Sequence, residues 1–203
     1  FLFGDVPRIN RFFRRFYIRL YDASLRYIDR NIKNLFAHLT ASGIMANDTV
    51  IVVTADHGEA FFEHGIFGHP QKPWREHFHV PLIVYGPKLV MPSSHDRPVS
   101  LLDIPPTLLA FAGLKKPPAF RGKSIFDEAK RDVVSQIIEC EGDLSHQEFM
   151  GAAIIHGGYR FIDMKDGQML YAITDVAEKE NLIVRGEAIA EQLKFRLKRY
   201  IPQ

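Results

Sequence analysis

The run Thr49-Val50-Ile51-Val52-Val53-Thr54 is β-branched at every position and leads directly into Ala55-Asp56-His57-Gly58. No other segment restricts the fold as much, because six consecutive β-branched residues favour an extended strand over a helix. The run does not alternate with polar residues, so it predicts a strand covered on both faces within a mainly parallel sheet. Upstream, between Arg14 and Ser42, Leu25, Ile28, Ile32, Leu35, Phe36 and Leu39 recur at three- and four-residue steps. That spacing predicts an amphipathic helix, with Gly43 just past its end and Asn47-Asp48 as a turn before the strand. Pro81 to Tyr85, closed by Gly86-Pro87, predicts a second strand of the same kind. Asp103 is expected to cap a helix carrying Pro105 and Pro106 in its first turn and ending at Gly113.

After Lys115-Lys116-Pro117-Pro118 the pattern changes to short strands at 133–138, 152–155, 159–164 and 169–173. Gly157-Gly158 and Asp166-Gly167 are hairpin signals, so a small antiparallel sheet is expected, followed by a helix over 187–200. The sequence therefore divides into an α/β part, 1–125, and a small α+β subdomain, 126–203. Twenty-six basic against 24 acidic residues leave a net charge of +2. That balance gives no reason to expect nucleic acid as the main partner. Cys140 is the single cysteine, which excludes an internal disulfide framework and a multi-thiolate zinc site. No run approaches the roughly 18 to 20 apolar residues of a transmembrane segment. The sequence starts on Phe1 rather than Met and reads as an excised fragment.

Chemistry is concentrated between positions 57 and 79, where His57, His64, His69, His77 and His79 are interleaved with Glu59, Glu63 and Glu76. Asp56 and His57 follow the first strand, where ligands gather in open α/β sheets. A carboxylate beside a neutral imidazole can hold a divalent cation, and Gly58 lets the chain turn away. Taken alone, Asp56-His57-Gly58 reads rather as a polar turn in which Asp56 caps a following helix and His57 lies in solvent. Gly122-Lys123-Ser124 is not a phosphate-binding loop, because Pro117 stands where that motif needs glycine. Arg8, Arg11, Arg14, Arg15 and Arg19, with Phe12, Phe13, Phe16 and Tyr17, read either as a membrane-surface or nucleic-acid helix or as a face that packs on other polypeptide, the latter preferred.

Thr54-Ala55-Asp56-His57-Gly58-Glu59, Glu63-His64-Gly65-Ile66-Phe67-Gly68-His69, Glu76 and Val80 to Pro87 together resemble the second half of a sulfatase of the alkaline phosphatase superfamily. Leu102 to Leu109, Gly122-Lys123-Ser124-Ile125, Gly158 to Ile162, Leu170 to Ile173 and Glu178 to Leu182 extend the resemblance in the family's order. The resemblance implies part of an alkaline-phosphatase-like sheet flanked by helices, then a small subdomain with an antiparallel sheet. It implies that Asp56 and His57 are two of four ligands to a divalent metal, calcium foremost, with magnesium or manganese as alternatives. His57 stands where many members have Asn. His69 falls at a position that is commonly a sulfate-contacting Lys, which makes it the expected catalytic and substrate-binding residue. Lys72 is a further expected anion contact, and His64 is expected to help shape the pocket. The family's nucleophile is a formylglycine made from Cys or Ser in a Cys/Ser-x-Pro-x-Arg motif. Cys140 is followed by Glu141-Gly142-Asp143-Leu144 and does not fit that motif. The expected function is therefore sulfate ester hydrolysis by a longer protein whose N-terminal half supplies the nucleophile, these 203 residues alone being inactive. Alternatives are phosphoester or phosphonate hydrolysis or phospho-transfer on the same fold, and a non-catalytic interaction module.

Overall fold

A computed structural model describes residues 11–44, 49–70, 72–86, 94–140 and 147–201. Arg8, Asn47-Asp48 and Pro87, used in the sequence reading, lie outside these residues. The chain forms two compact units, residues 1–70 with 80–95, and residues 71–79 with 96–203.

The first unit opens with helix α1, Arg11–Ala41. Its end follows the expected glycine: Gly43 takes φ +74°, and Ile44 N–H reaches back to the Leu39 carbonyl at 2.9 Å. Strand β1, Ile51–Thr54, is followed by the short strands β2, Ala60–Phe61, and β3, Phe67–Gly68, which pair as a hairpin. Strand β4, Leu82–Tyr85, then pairs with β1. Both long strands fall where the sequence places them, but the pairing is antiparallel, Ile51 opposite Tyr85 and Thr54 opposite Leu82. This corrects the expectation of a parallel pair buried on both faces. Apolar runs report burial rather than direction, and the β2–β3 hairpin between these strands returns the chain in the opposite sense. Ile83 and Tyr85 point outward, 60% and 61% exposed.

Helix α1 packs on the hairpin through aromatic side chains. The Tyr17 and Phe67 rings are 4.6 Å apart and those of Tyr21 and Phe61 5.0 Å. Arg14 donates to Glu63 Oε1 at 3.3 Å. Phe12, Phe13 and Phe16 remain exposed.

The second unit begins with the one-turn helix α2, Arg75–Phe78. Helix α3, Ile104–Phe111, has prolines in its first turn as expected. Asp103, however, makes no side-chain bond to α3. Its carboxylate instead accepts from Ser100 N–H, Lys123 N–H and Arg131, at 2.9, 2.8 and 2.8 Å. Thr107 Oγ1 donates to the Asp103 carbonyl and accepts from Ile125 N–H. Gly122 lies against Leu102, where a Cβ would stand 1.8 Å from the carbonyl oxygen. Gly122-Lys123-Ser124 is thus a structural clasp.

Strands β5 (Val133–Cys140), β6 (Gln147–His156), β7 (Tyr159–Met164) and β8 (Gly167–Ala172) form the expected antiparallel meander. Gly157 and Gly158, both at positive φ, make the two-residue turn between β6 and β7. Side chains alternate across this sheet. One face carries Ile154, Phe161 and Leu170 against Leu193 and Leu197 of helix α4, Glu187–Leu197. Burying each of these large residues is worth about 1.5–3 kcal/mol. The other face carries Ala153, Ile162 and Tyr171 against Trp74.

Helix α4 is also fastened by one carboxylate. Asp132 accepts from Arg196 Nε and from the Tyr200 hydroxyl, each at 3.0 Å, and lies 2.7 Å from His156 Nδ1. Burial, then the bond to Asp132, raises the Tyr200 pKa above the ordinary phenol value.

The β5–β6 register shifts between Ile137 and Ile138, opposite Gly151 and Phe149. At Gly151 a Cβ would lie 2.4 Å from the Asp163 carbonyl oxygen of the neighbouring strand. Gly151→Ala is therefore expected to destabilise the protein by roughly 2–4 kcal/mol, read as a lower urea midpoint. An unchanged midpoint would show that this close approach is not required.

Candidate functional site

Of the expected metal and anion residues, Asp56, His57 and His69 come together in the first unit, where β1 runs out and the β2–β3 hairpin ends. His57 N–H donates to Asp56 Oδ1 at 3.0 Å. That backbone bond is the leading reason the Asp56 carboxyl is held below its ordinary value, followed by the backbone amide of Asp56 itself. The Asp56 side chain is 89% exposed, and its Oδ2 lies 3.8 Å from His57 Nε2. His57 Nδ1 is 2.9 Å from the Gly58 carbonyl, which can only accept. The ring proton is therefore assigned to Nδ1, and the lone pair on Nε2 faces the carboxylate. An imidazole whose other nitrogen donates to a backbone carbonyl is the usual arrangement for a metal-ligating histidine.

The His69 and His57 rings lie 4.5 Å apart at 33°. His69 Nδ1 sits 3.3 Å from Glu59 Oε2, which leaves Nε2 as the edge that can meet a ligand. Gly68, at φ +83°, adopts a backbone conformation that glycine favours, and a Cβ there would touch Glu59 Oε1 at 3.5 Å. Glu63 takes a structural part, accepting from Phe61 N–H and from Arg14.

Asp56, His57 and His69 are thus neighbours. Lys72 belongs to the second unit and is exposed there, and its carbonyl accepts from the buried His77 Nδ1 at 3.0 Å. Sequence reasoning gave Glu59 no role, yet it orients His69. The available signal was its place in the same histidine-carboxylate cluster. The donors present suit a divalent cation in part. Asp56 and His57 supply an oxygen and a nitrogen, and a full coordination sphere needs further ligands.

The antiparallel strand pair with Asp-His at the end of β1, the hairpin covered by α1, the small antiparallel sheet and its closing helix share the α/β fold of alkaline-phosphatase-like sulfatases. The sequence model of the family described as Sulfatase matches residues 7–114, just over half of the chain, and the chain belongs to that family. It is 36% identical over 110 residues to an N-acetylglucosamine-6-O-sulfatase of Bacteroides thetaiotaomicron, covering 54% of this chain and 19% of that one. Among solved structures, one in complex with its substrate D-glucosamine-2-N,6-O-disulfate superposes with a TM-score of 0.69 at 25% identity, covering 90% of this chain and 40% of that one. A phosphonate monoester hydrolase from Silicibacter pomeroyi superposes with a TM-score of 0.70 at 22% identity, covering 85% and 38%. The chain thus spans about a fifth of the length of the curated sulfatase. No described helix is long and apolar enough to cross a membrane.

Proposed function

We propose that this chain is part of a metal-dependent sulfatase that hydrolyses sulfate esters, with Asp56 and His57 as metal ligands and His69 as the catalytic group on the sulfate. The supporting observation is that the family match includes the place where the Asp56 carboxylate, the outward lone pair of His57 and the His69 ring are adjacent. When bound, a divalent cation, calcium by first expectation, supplies a Lewis acid for the sulfate. The remaining work falls to side chains. The Asp56 carboxylate, kept ionised by the His57 amide, contributes an oxygen, and Gly58 fixes the His57 tautomer. Glu59 Oε2 lies at hydrogen-bond distance from His69 Nδ1 and so orients the ring with its Nε2 edge toward the sulfate. Lys72, three residues after His69 in the sequence, is kept as a proposed anion contact on the family resemblance alone. The nucleophile, a formylglycine, belongs to preceding polypeptide, and the 203 residues alone are inactive.

The test compares turnover of 4-nitrophenyl sulfate and 4-nitrophenyl phosphate by the full-length protein. The sulfate should be preferred by at least about 100-fold, as fits a site whose donors match one anion. A reversed preference would replace this reading with phosphorus chemistry. His69→Ala should lower kcat by about 100- to 1,000-fold, the scale of losing one donor to developing charge. Near wild-type kcat would remove His69 from the reaction.

A further inference from the structure

We infer that Tyr17 and Tyr21 of α1 are positioning residues for His69, acting through the register of the β2–β3 hairpin, a reading that rests on the proposed sulfatase site. The hairpin pairs Phe61 with Phe67 and Ala60 with Gly68. Glu59 precedes Ala60 and His69 follows Gly68, so Glu59 opposite His69 is the next pair in that register. Their side chains meet at 3.3 Å, from Glu59 Oε2 to His69 Nδ1. A slip of one residue would part them, because successive side chains of a strand point to opposite faces.

β2 and β3 have two residues each, and so short a hairpin does not hold its register alone. Its turn is strained as well. Phe62 takes φ +71°, a left-handed backbone that a bulky residue keeps only where its surroundings impose it. The Phe62 N–H donates to the Ile66 carbonyl at 2.8 Å, and its ring stacks on Phe67 with centres 5.0 Å apart. Helix α1 supplies the outside constraint. Arg14, Tyr17 and Tyr21 are three and four residues apart and therefore lie along one face of it. Arg14 reaches Glu63 in the turn, Tyr17 lies against Phe67 of β3, and Tyr21 lies against Phe61 of β2. Each part of the hairpin thus meets its own mark on one helix. The Arg14–Glu63 pair is exposed and contributes little by itself. The two tyrosine rings, one helical turn apart, grip both members of the Phe61–Phe67 pair and so set the register that carries Glu59 to His69.

A double-mutant cycle in the full-length protein, read with 4-nitrophenyl sulfate, tests this. Tyr17→Ala/Tyr21→Ala should lower kcat about ten-fold with KM nearly constant, as expected for misplacement rather than lost binding. Tyr17 and Tyr21 are 38% and 40% exposed, so their truncation should spare the fold. Glu59→Gln should also cost about ten-fold, but only about two-fold once both tyrosines are truncated, because its partner is already displaced. Tyr17→Phe/Tyr21→Phe should restore kcat to within about two-fold of wild type, since ring faces make the contacts. Carbethoxylation of His69 by diethyl pyrocarbonate, located by mass spectrometry, should follow the same non-additive pattern without any substrate. Additive effects of Glu59→Gln and the alanine pair would overturn the inference, as would an alanine pair with wild-type kcat and His69 reactivity. A phenylalanine pair as impaired as the alanine pair would do the same. If the alanine pair does not fold, the wild type decides: its Phe62 amide should exchange at least about 100-fold more slowly than in an unstructured peptide, and exchange at the peptide rate refutes a fixed register. If the wild-type protein does not turn over the sulfate, the sulfatase reading fails while His69 carbethoxylation still judges the tyrosines.

Discussion

Asp56→Ala in the full-length protein is expected to weaken calcium binding by at least about 100-fold in a calorimetric titration, with turnover of a sulfate ester falling alongside. Changing groups that merely orient a ligand already costs 10- to 100-fold, and Asp56 is proposed as a ligand itself. The variant should remain folded, because the carboxylate is 89% exposed and its hydrogen bond is to the adjacent His57 amide. An unaltered melting temperature would thus separate loss of the ion from loss of the fold. His57→Asn should keep most of the affinity, since an amide oxygen is a suitable donor to a hard cation, whereas His57→Ala should not. Calcium binding that ignores both Asp56→Ala and His57→Ala would take the metal away from this place.

The largest expected effect on stability comes from Asp103→Ala, at about 3–5 kcal/mol, because the change leaves the Arg131 guanidinium buried without its carboxylate. The two side chains are 5% and 6% exposed, and Asp103 also receives the Ser100 and Lys123 amides. Urea unfolding of the protein reads the cost. Arg131→Met should cost less, since Asp103 keeps two amide donors, and adding Arg131→Met to Asp103→Ala should recover part of the loss. A midpoint for Asp103→Ala within error of wild type would show that this clasp does not hold the 120–131 segment.

The elements that could be read from sequence are those whose signal is local. The three- and four-residue spacing of Ile28, Ile32 and Leu39 sufficed for α1, and Gly157-Gly158 sufficed for the β6–β7 turn. Strand partners are not local information: Val52 says nothing of whether it will face Val84 along a parallel or an antiparallel neighbour. The same holds for charged pairs. Arg160 and Glu178 stand 18 positions apart, in short stretches that looked alike in their polar content, and only folding makes one the counterpart of the other. Asp103 sits at the start of a helix, as its residue type favours, but the bonds it makes are with Ser100, Lys123 and Arg131. At the candidate site, Asp56 and His57 are adjacent in sequence, but their reading as metal ligands came from resemblance. His69 was suggested by resemblance, and Glu59 waited on the turn that brings positions ten apart within 3.3 Å.

The fastening of α4 to Asp132 bears on how the gene tolerates truncation. A nonsense codon ahead of Arg196 would delete Arg196, Leu197 and Tyr200 together, leaving His156 as the remaining partner of an acid that is 5% exposed. Ile154, Phe161 and Leu170 would lose part of their cover, and such a product would be a target for cellular proteases and for clumping.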